Sequence, residues 1–269
     1  MDDILTNYFK TVNVEYFSAI AYSDCIETAP RIMKRESFIP RSVIVYLLPY
    51  YTGETVNISR YAASVDYHIA IKSVGEGICK TLKDKYPSAN MHIYGDHSPV
   101  DERHAALISG LGILGDNGLL INEKYGSYIF IGDVITDIAP EALGAIAPLP
   151  IKKCEGCGIC KESCPTGVLS GKSFDCLSAI TQKKGDLTKE ECELMRKYNT
   201  AWGCDECQRF CPHNNQSALT PIEFFKKDNI YELTRERLDA MSDNEFSSRA
   251  FAWRKRETVE RNLDILAKK

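Results

Sequence analysis

Apolar residues run almost unbroken through Ser42-Val43-Ile44-Val45-Tyr46-Leu47-Leu48, the pattern of a buried strand, and Tyr128-Ile129-Phe130-Ile131-Gly132-Asp133-Val134-Ile135 predicts a second. Between them the period changes. From Tyr61 to about Tyr86 apolar positions recur at helical spacing, which predicts one long amphipathic helix, and the charged stretch from Asp101 to Ser109 predicts a shorter one. Asp116-Asn117-Gly118 reads as a turn leading into Leu119-Leu120-Ile121. Helices and strands therefore mix over residues 1–150, an α+β (mixed α/β) domain whose end is marked by Pro148 and Pro150. Cysteines dominate residues 151–220. Residues 221–269 are polar, helical and rich in Lys and Arg, and are expected to pack on the core as a tail. Beyond the cysteine runs there is no internal repeat and no low-complexity segment.

Composition narrows the class without deciding it. The 269 residues are 44% hydrophobic and 26% charged, as in ordinary globular proteins, and a net charge of −4 exerts no global pull on nucleic acid or anionic membrane. Any polyanion must be met locally. Met1-Asp2-Asp3-Ile4 opens no basic leader, and the longest apolar run, Val43 to Leu48, is too short to span a bilayer. The expected setting is the cytoplasm, with no membrane partner. In that reducing compartment eleven cysteines point to metal ligation rather than disulfides.

Their spacing identifies the metal. Cys154-Glu155-Gly156-Cys157-Gly158-Ile159-Cys160-Lys161-Glu162-Ser163-Cys164-Pro165 is a full C-x2-C-x2-C-x3-C-P run, the bacterial ferredoxin signature, whose fourth cysteine ligates the other of two clusters. Cys204-Asp205-Glu206-Cys207-Gln208-Arg209-Phe210-Cys211-Pro212 repeats it with one cysteine missing, which Cys176 can supply. The crossover rule assigns Cys154, Cys157, Cys160 and Cys211 to one [4Fe–4S] cluster and Cys164, Cys176, Cys204 and Cys207 to the other. Gly156, Gly158 and Gly167 permit the tight turns that aim amide N–H groups at a negative cube. Structural zinc is the competing reading, favoured by a lone C-x2-C pair but not by two runs ending in Cys-Pro. Cys25, Cys79 and Cys192 fall outside the pattern and read as buried small residues.

Gly110-Leu111-Gly112-Ile113-Leu114-Gly115 fits the dinucleotide fingerprint, and Asp133 or Asp137 stands near the distance of a ribose-binding acid. The context is wrong, because that loop joins a strand to a helix, whereas here a helix precedes and a turn follows. A glycine loop admitting some other bulky planar ligand is the expectation.

Several unusual segments occur together and in order: Arg60-Tyr61-Ala62, Asp66-Tyr67-His68, Asp96-His97-Ser98-Pro99-Val100-Asp101-Glu102-Arg103, Gly110 to Asn122, and Gly203 to Asn214. Between about Ile39 and Leu266 the chain resembles the epoxyqueuosine reductase family, in a short form without the C-terminal helical-repeat domain. The resemblance implies a cobalamin-binding and substrate-binding domain over residues 1–150 and a ferredoxin-like domain with two [4Fe–4S] clusters over residues 151–220. It implies an oxidoreductase that reduces the epoxide of epoxyqueuosine in tRNA to the cyclopentene of queuosine, fed by an external low-potential electron donor. Asp96 matches the family's general acid and stands at the cofactor face. Arg60, Tyr61, Leu120, Ile121, Asn122, Ser127 and Ser178 match cobalamin-side residues. On pattern alone, Asp96 after Gly95 and before Ser98-Pro99 is a turn residue. His68 reads as a hydrogen-bonded packing residue rather than an axial metal ligand.

Some positions depart from the family pattern. Gly115-Asp116 stands where Gly-Lys is usual, Ile113 where an aromatic is usual, and Ser64 where a glycine precedes the Asp-Tyr-His motif. The basic residues Arg249, Arg254, Lys255, Arg256 and Arg261 allow two readings, a phosphate-binding face or a solvated helix face paired with Glu257 and Glu260. Two other functions stand beside the reductase. One is a two-cluster electron-transfer protein with no substrate of its own; the other is a related cobalamin reductase, reductive dehalogenation included, acting on a different small electrophile.

Overall fold

The computed structural model describes residues 3–173 and 175–268. It divides into two compact units, and the division does not follow the sequence linearly. Residues 1–49 and 68–156 form the first unit; residues 50–67 and 157–269 form the second. The cysteine region from Cys157 onwards and the basic tail, expected as separate parts, lie in one unit, and residues 50–67 join them, while Cys154 belongs to the first.

The first unit is built on an antiparallel sheet of four strands, β1 (Phe17–Ala21), β2 (Ser42–Pro49), β3 (Met91–Tyr94) and β6 (Ile129–Thr136), in the order β1-β2-β6-β3. Both predicted strands are central. Every residue of β2 is buried, as its unbroken apolar run requires when both faces of a sheet are covered. Gly132 faces Tyr46 across the β2–β6 pair, where any side chain would strike the Tyr46 ring. Tyr46 donates its hydroxyl to the Ile71 carbonyl (2.8 Å), on the helix Tyr67–Lys85. The opposite face of the sheet carries Val43, Val45, Leu47 and Ile135, packed with Ala105, Ala106 and Ile108 of the helix Glu102–Ile108. Asp101 caps that helix, accepting the His104 N–H at 3.0 Å.

The long helix begins at Tyr67 rather than Tyr61. Arg60–Ala62 is a 3₁₀ turn, and Val65 pairs with Arg249 while the Asp66 N–H goes to the Ser248 carbonyl, so this backbone is claimed by another segment. The glycine loop also differs from expectation. It leads into a small hairpin, β4 (Ile113–Leu114) with β5 (Leu120–Ile121), and the chain's own atoms fill the space beside its glycines. A Cβ on Gly110 would meet Leu149, on Gly112 the Ile121 carbonyl, and on Gly115 the Asn117 side chain. The glycines serve tight local packing of the hairpin.

The second unit has its core around Trp202, with Ile58, Ala62, Phe246, Phe251, Val259 and Leu263. Asn57 bonds both ways with Leu233, donating to its carbonyl and accepting its N–H at 2.8 Å each. The helix Arg256–Ala267 closes the unit through Asn262, which is fully buried and donates to the Thr181 and Ala201 carbonyls. No helix among the described residues is long and apolar enough to cross a membrane.

Candidate functional site

All eleven cysteines are free thiols, and glycine turns flank Cys160 and Cys164 in the second unit. Gly158, at a φ of 80°, opens the helix Ile159–Glu162, which holds the buried Cys160. Cys164 follows, and with Gly167 at 68° the chain curls so that the N–H groups of Thr166, Val168 and Leu169 point at the Cys164 sulfur. Cys176 precedes the helix Leu177–Thr181, and Cys207 lies in the helix Glu206–Arg209. Cys211 is buried ahead of Pro212.

The thiols of Cys204 and Cys207 are both pushed up to about 12, first by burial. Cys204 also feels the charge of Cys176 and Cys207, and Cys207 that of Cys176, Cys164 and Cys160. Cys164, Cys176, Cys204 and Cys207 therefore lie within electrostatic reach of one another. Among the described residues no three His, Cys, Asp or Glu side chains gather around a single ion. A cube asks for a looser set, one thiolate on each iron, with N–H donors around the sulfurs. The residues present fit that demand. In the first unit Cys154 is anchored beside Leu114 and accepts the Asp116 N–H at 3.3 Å.

Asp205, between Cys204 and Cys207, is buried and tied to residues 59 and 60: it accepts from the Ser59 hydroxyl, the Arg60 N–H (2.7 Å) and the Arg60 guanidinium (3.3 Å). Arg60 also pairs with Glu54. The Tyr61 hydroxyl accepts the Trp202 indole N–H at 2.9 Å. Ser178 accepts from the Gln182 amide. In the first unit Leu120, Ile121, Asn122 and Ser127 are all buried, and the Asn122 side chain is occupied by the Leu111 carbonyl and the N–H groups of Lys124 and Tyr125. Arg60 and Asn122 are thus held in place by the chain's own groups.

The acid site lies in the first unit. Asp96 has left-handed backbone, with a φ of 65°, and its carboxylate stands 3.6 Å from His68 Nε2, both side chains half exposed. His68 is thus no packing residue but a neighbour of the candidate acid. Asp96, Ser98, Val100, Glu102, Arg103 and Ile131 line a cleft of about 420 Å³. The Asp96 main-chain N–H donates to the Glu102 carboxylate, whose pKa burial and the Asp133 charge raise to about 9. Asp133 is fully buried in β6, opposite Val45 and Tyr94, and burial raises it to about 7. Ser98 is near enough to lower Asp133 somewhat, yet neither Asp133 oxygen finds a well-formed hydrogen bond.

A family profile described as a 4Fe-4S double cluster binding domain matches residues 153–214. An epoxyqueuosine reductase of Leadbetterella byssophila is 32% identical over 199 residues, covering 71% of this chain and 64% of that one. Another, of Gloeobacter violaceus, is 30% identical over 236 residues, covering 81% of this chain and 72% of that one. The chain belongs to the epoxyqueuosine reductase family. It spans less than two thirds of the Leadbetterella relative's length. Its fold is that of solved epoxyqueuosine reductases: one from Streptococcus thermophilus gives a TM-score of 0.76 at 20% identity, covering 97% of this chain and 79% of that one. A second, crystallised with an epoxyqueuosine-modified tRNA-Tyr stem loop, gives 0.74 at 21% identity, covering 98% and 80%. With the matched profile, the cysteine region of this epoxyqueuosine reductase relative is an iron–sulfur domain, and zinc is set aside.

Most of the basic tail is committed internally. Arg249 is buried and donates to the Asp228 carbonyl and Glu245. Arg256 donates to the Leu238 and Met241 carbonyls, and Arg261 to those of Lys183 and Gly185. The phosphate-face reading therefore loses three of its five residues, leaving Arg254 and Lys255.

Proposed function

We propose that this chain is an iron–sulfur reductase that removes the oxygen of epoxyqueuosine in tRNA, with cobalamin as its second cofactor and Asp96 as the proton donor. The observation that carries the reading is the placement of Asp96 in a family member: left-handed backbone at the mouth of a cleft, its amide held by Glu102 and His68 at its carboxylate. A backbone conformation that non-glycine residues seldom adopt persists only when its surroundings hold it, and such strain gathers at working sites.

Cys154, Cys157, Cys160 and Cys211, and Cys164, Cys176, Cys204 and Cys207, would hold the two clusters, which would bring single electrons from an external low-potential donor. Low-valent cobalt is the chemistry that cobalamin brings to the C–O bond. Asp96 places a proton on the departing oxygen, in a cleft it shares with Ile129 and Ile131. The tRNA-bound relative supports the substrate assignment at the level of fold.

The test uses anaerobically reconstituted, cobalamin-loaded protein with a strong reductant and an epoxyqueuosine-containing anticodon stem loop. Loss of one oxygen from the modified base, by mass, is expected. Asp96→Asn should lower turnover by roughly two orders of magnitude, the range for a positioned general acid, with cluster content unchanged. An intact epoxide with fully loaded protein refutes the substrate and returns the chain to a different electrophile or to plain electron transfer.

A further inference from the structure

Deoxygenating an epoxide to an alkene consumes two electrons and two protons and releases water, yet one carboxyl can hold only one proton. Asp96 is half exposed at the cleft, and behind it lie two acids that the reaction as described does not use. One is Glu102, at the first turn of the helix Glu102–Ile108, joined to Asp96 by a main-chain hydrogen bond. The other is Asp133, entirely removed from water on the apolar face of β6, with both carboxylate oxygens unpartnered.

An ionised carboxylate in such a place costs several kcal/mol unless paired with a cation or well hydrogen-bonded. The surroundings supply no cation, and only the Asp96 main-chain N–H to Glu102 and the Ser98 hydroxyl near Asp133. Glu102 faces Asp133, Asp96 and Asp101; Asp133 faces Tyr94 from β3, Cys25 beyond the Tyr22–Asp24 turn, and Ser98 from the loop after β3, and its charge is felt through the sheet by Tyr46. These are acids, phenols, a thiol and a hydroxyl. Arg103, the cation nearest in sequence, donates its guanidinium to the Gly118 carbonyl. One Glu102 oxygen is likewise without a partner, as expected of a group meant to carry a proton rather than a charge. Burial and mutual repulsion raise both acids, which agrees with the packing.

We propose that Glu102, kept protonated beside the buried Asp133, stores a proton behind Asp96 and passes it, through water of the cleft that Glu102 and Asp96 both line, to the Asp96 carboxylate once Asp96 has protonated the departing oxygen. The Glu102 O–H bond breaks as an O–H bond forms on a cleft water, and that water gives up one of its own protons to the Asp96 carboxylate. Asp96 then delivers the second proton needed to complete water, and bulk water entering the cleft restores the pair. Both electrons come from the low-potential donor. Glu102 and Asp133 act through Asp96 and so position its proton rather than touch substrate. This inference rests on the reading of Asp96 as the donor.

Two measurements test it. The first is an infrared titration of the reconstituted wild-type protein, which needs neither substrate nor a variant: a carboxylic-acid C=O band should persist at neutral pH, shift in heavy water and vanish only as the pH approaches about 9. Its absence at neutral pH overturns the proposal. The second is the pH profile of single-turnover epoxide reduction. Glu102→Gln should slow the reaction by about tenfold or more and move its high-pH decline to lower pH, with Asp133→Asn giving the same direction. An unchanged profile in Glu102→Gln, with Asp96→Asn inactive, overturns the relay alone. Full activity in Asp96→Asn overturns the donor reading and the relay together, whatever the infrared band shows.

Discussion

Gly203 immediately precedes Cys204, and its replacement by Ala offers a measurable link between packing and cluster binding. Its φ of 74° lies in the left-handed region, where a Cβ costs roughly 1–2 kcal/mol. The Cβ would also collide with that of Ser59 and lie 3.1 Å from the Tyr61 ring. Neither neighbour yields easily, since the Ser59 N–H is bonded to the Trp202 carbonyl at 2.7 Å and the Tyr61 hydroxyl to the Trp202 indole. Overpacking of this kind adds about 1–3 kcal/mol. At about 3 °C per kcal/mol, the sum predicts a melting temperature lower by roughly 6–15 °C. Gly171 isolates the first contribution: its φ is 70°, but no atom lies within 4 Å of its Cβ position, so Gly171→Ala should cost only about 3–6 °C. Moving Ser59 also releases its bond to Asp205, between two predicted ligands, so Gly203→Ala should lose iron faster than Gly171→Ala under a chelator. Thermal scans and iron release on both anaerobically reconstituted variants decide the matter. Equal melting temperatures and equal iron retention would refute the argument.

Three further outcomes are expected. Metal analysis after anaerobic reconstitution should find about eight irons per chain, falling by about half in Cys176→Ala; stoichiometric zinc would contradict the ligand set. Glu102 and Asp133 retain protons when folded at pH values where the carboxyls of an unfolded chain are already ionised. Unfolding then releases protons, so stability should decline as pH rises from about 5 towards 9, and Glu102→Gln should flatten that decline in urea titrations at several pH values. Arg256→Ala should destabilise by roughly 2–3 kcal/mol through two lost charge-assisted bonds to carbonyls, whereas Lys255→Ala should stay within about 0.5 kcal/mol and instead weaken tRNA binding at low salt.

The parts that could be read from the chain are those whose information is local. Cysteine spacing is local, and residues 153–214 match as the spacing implied. The central strands are nearly local as well: β2 extends one residue past the predicted run and β6 starts one residue later than predicted. What escaped was decided at long range. Six residues at the start of the expected long helix are withheld from it by Ser248 and Arg249, far along the chain. Asp133 did carry a signal, an acid sharing its face of the strand with Ile131 and Ile135, but only the register against β2 and β3 shows that the face is buried. Glu102 read as an ordinary charged helix residue because nothing in its neighbourhood reveals Asp133. The tail arginines were ambiguous for the same reason: whether a guanidinium meets solvent or a carbonyl depends on which helix ends lie beneath it.

The excursion of residues 50–67 into the second unit sets a timetable for biosynthesis. Asn57 bonds to Leu233 across 176 positions. At about 5–20 residues per second, roughly 10–35 s of translation separate the two. Throughout that interval Ile58 and Ala62, both buried in the finished protein, have no core to enter. A nascent chain that has already emitted every cysteine still lacks the helix Arg256–Ala267, whose Asn262 holds the Thr181 and Ala201 carbonyls on either side of the ligand segments. Fragments expressed as a contiguous cysteine-rich piece, without residues 50–67, would lack one wall of the cradle that the clusters need.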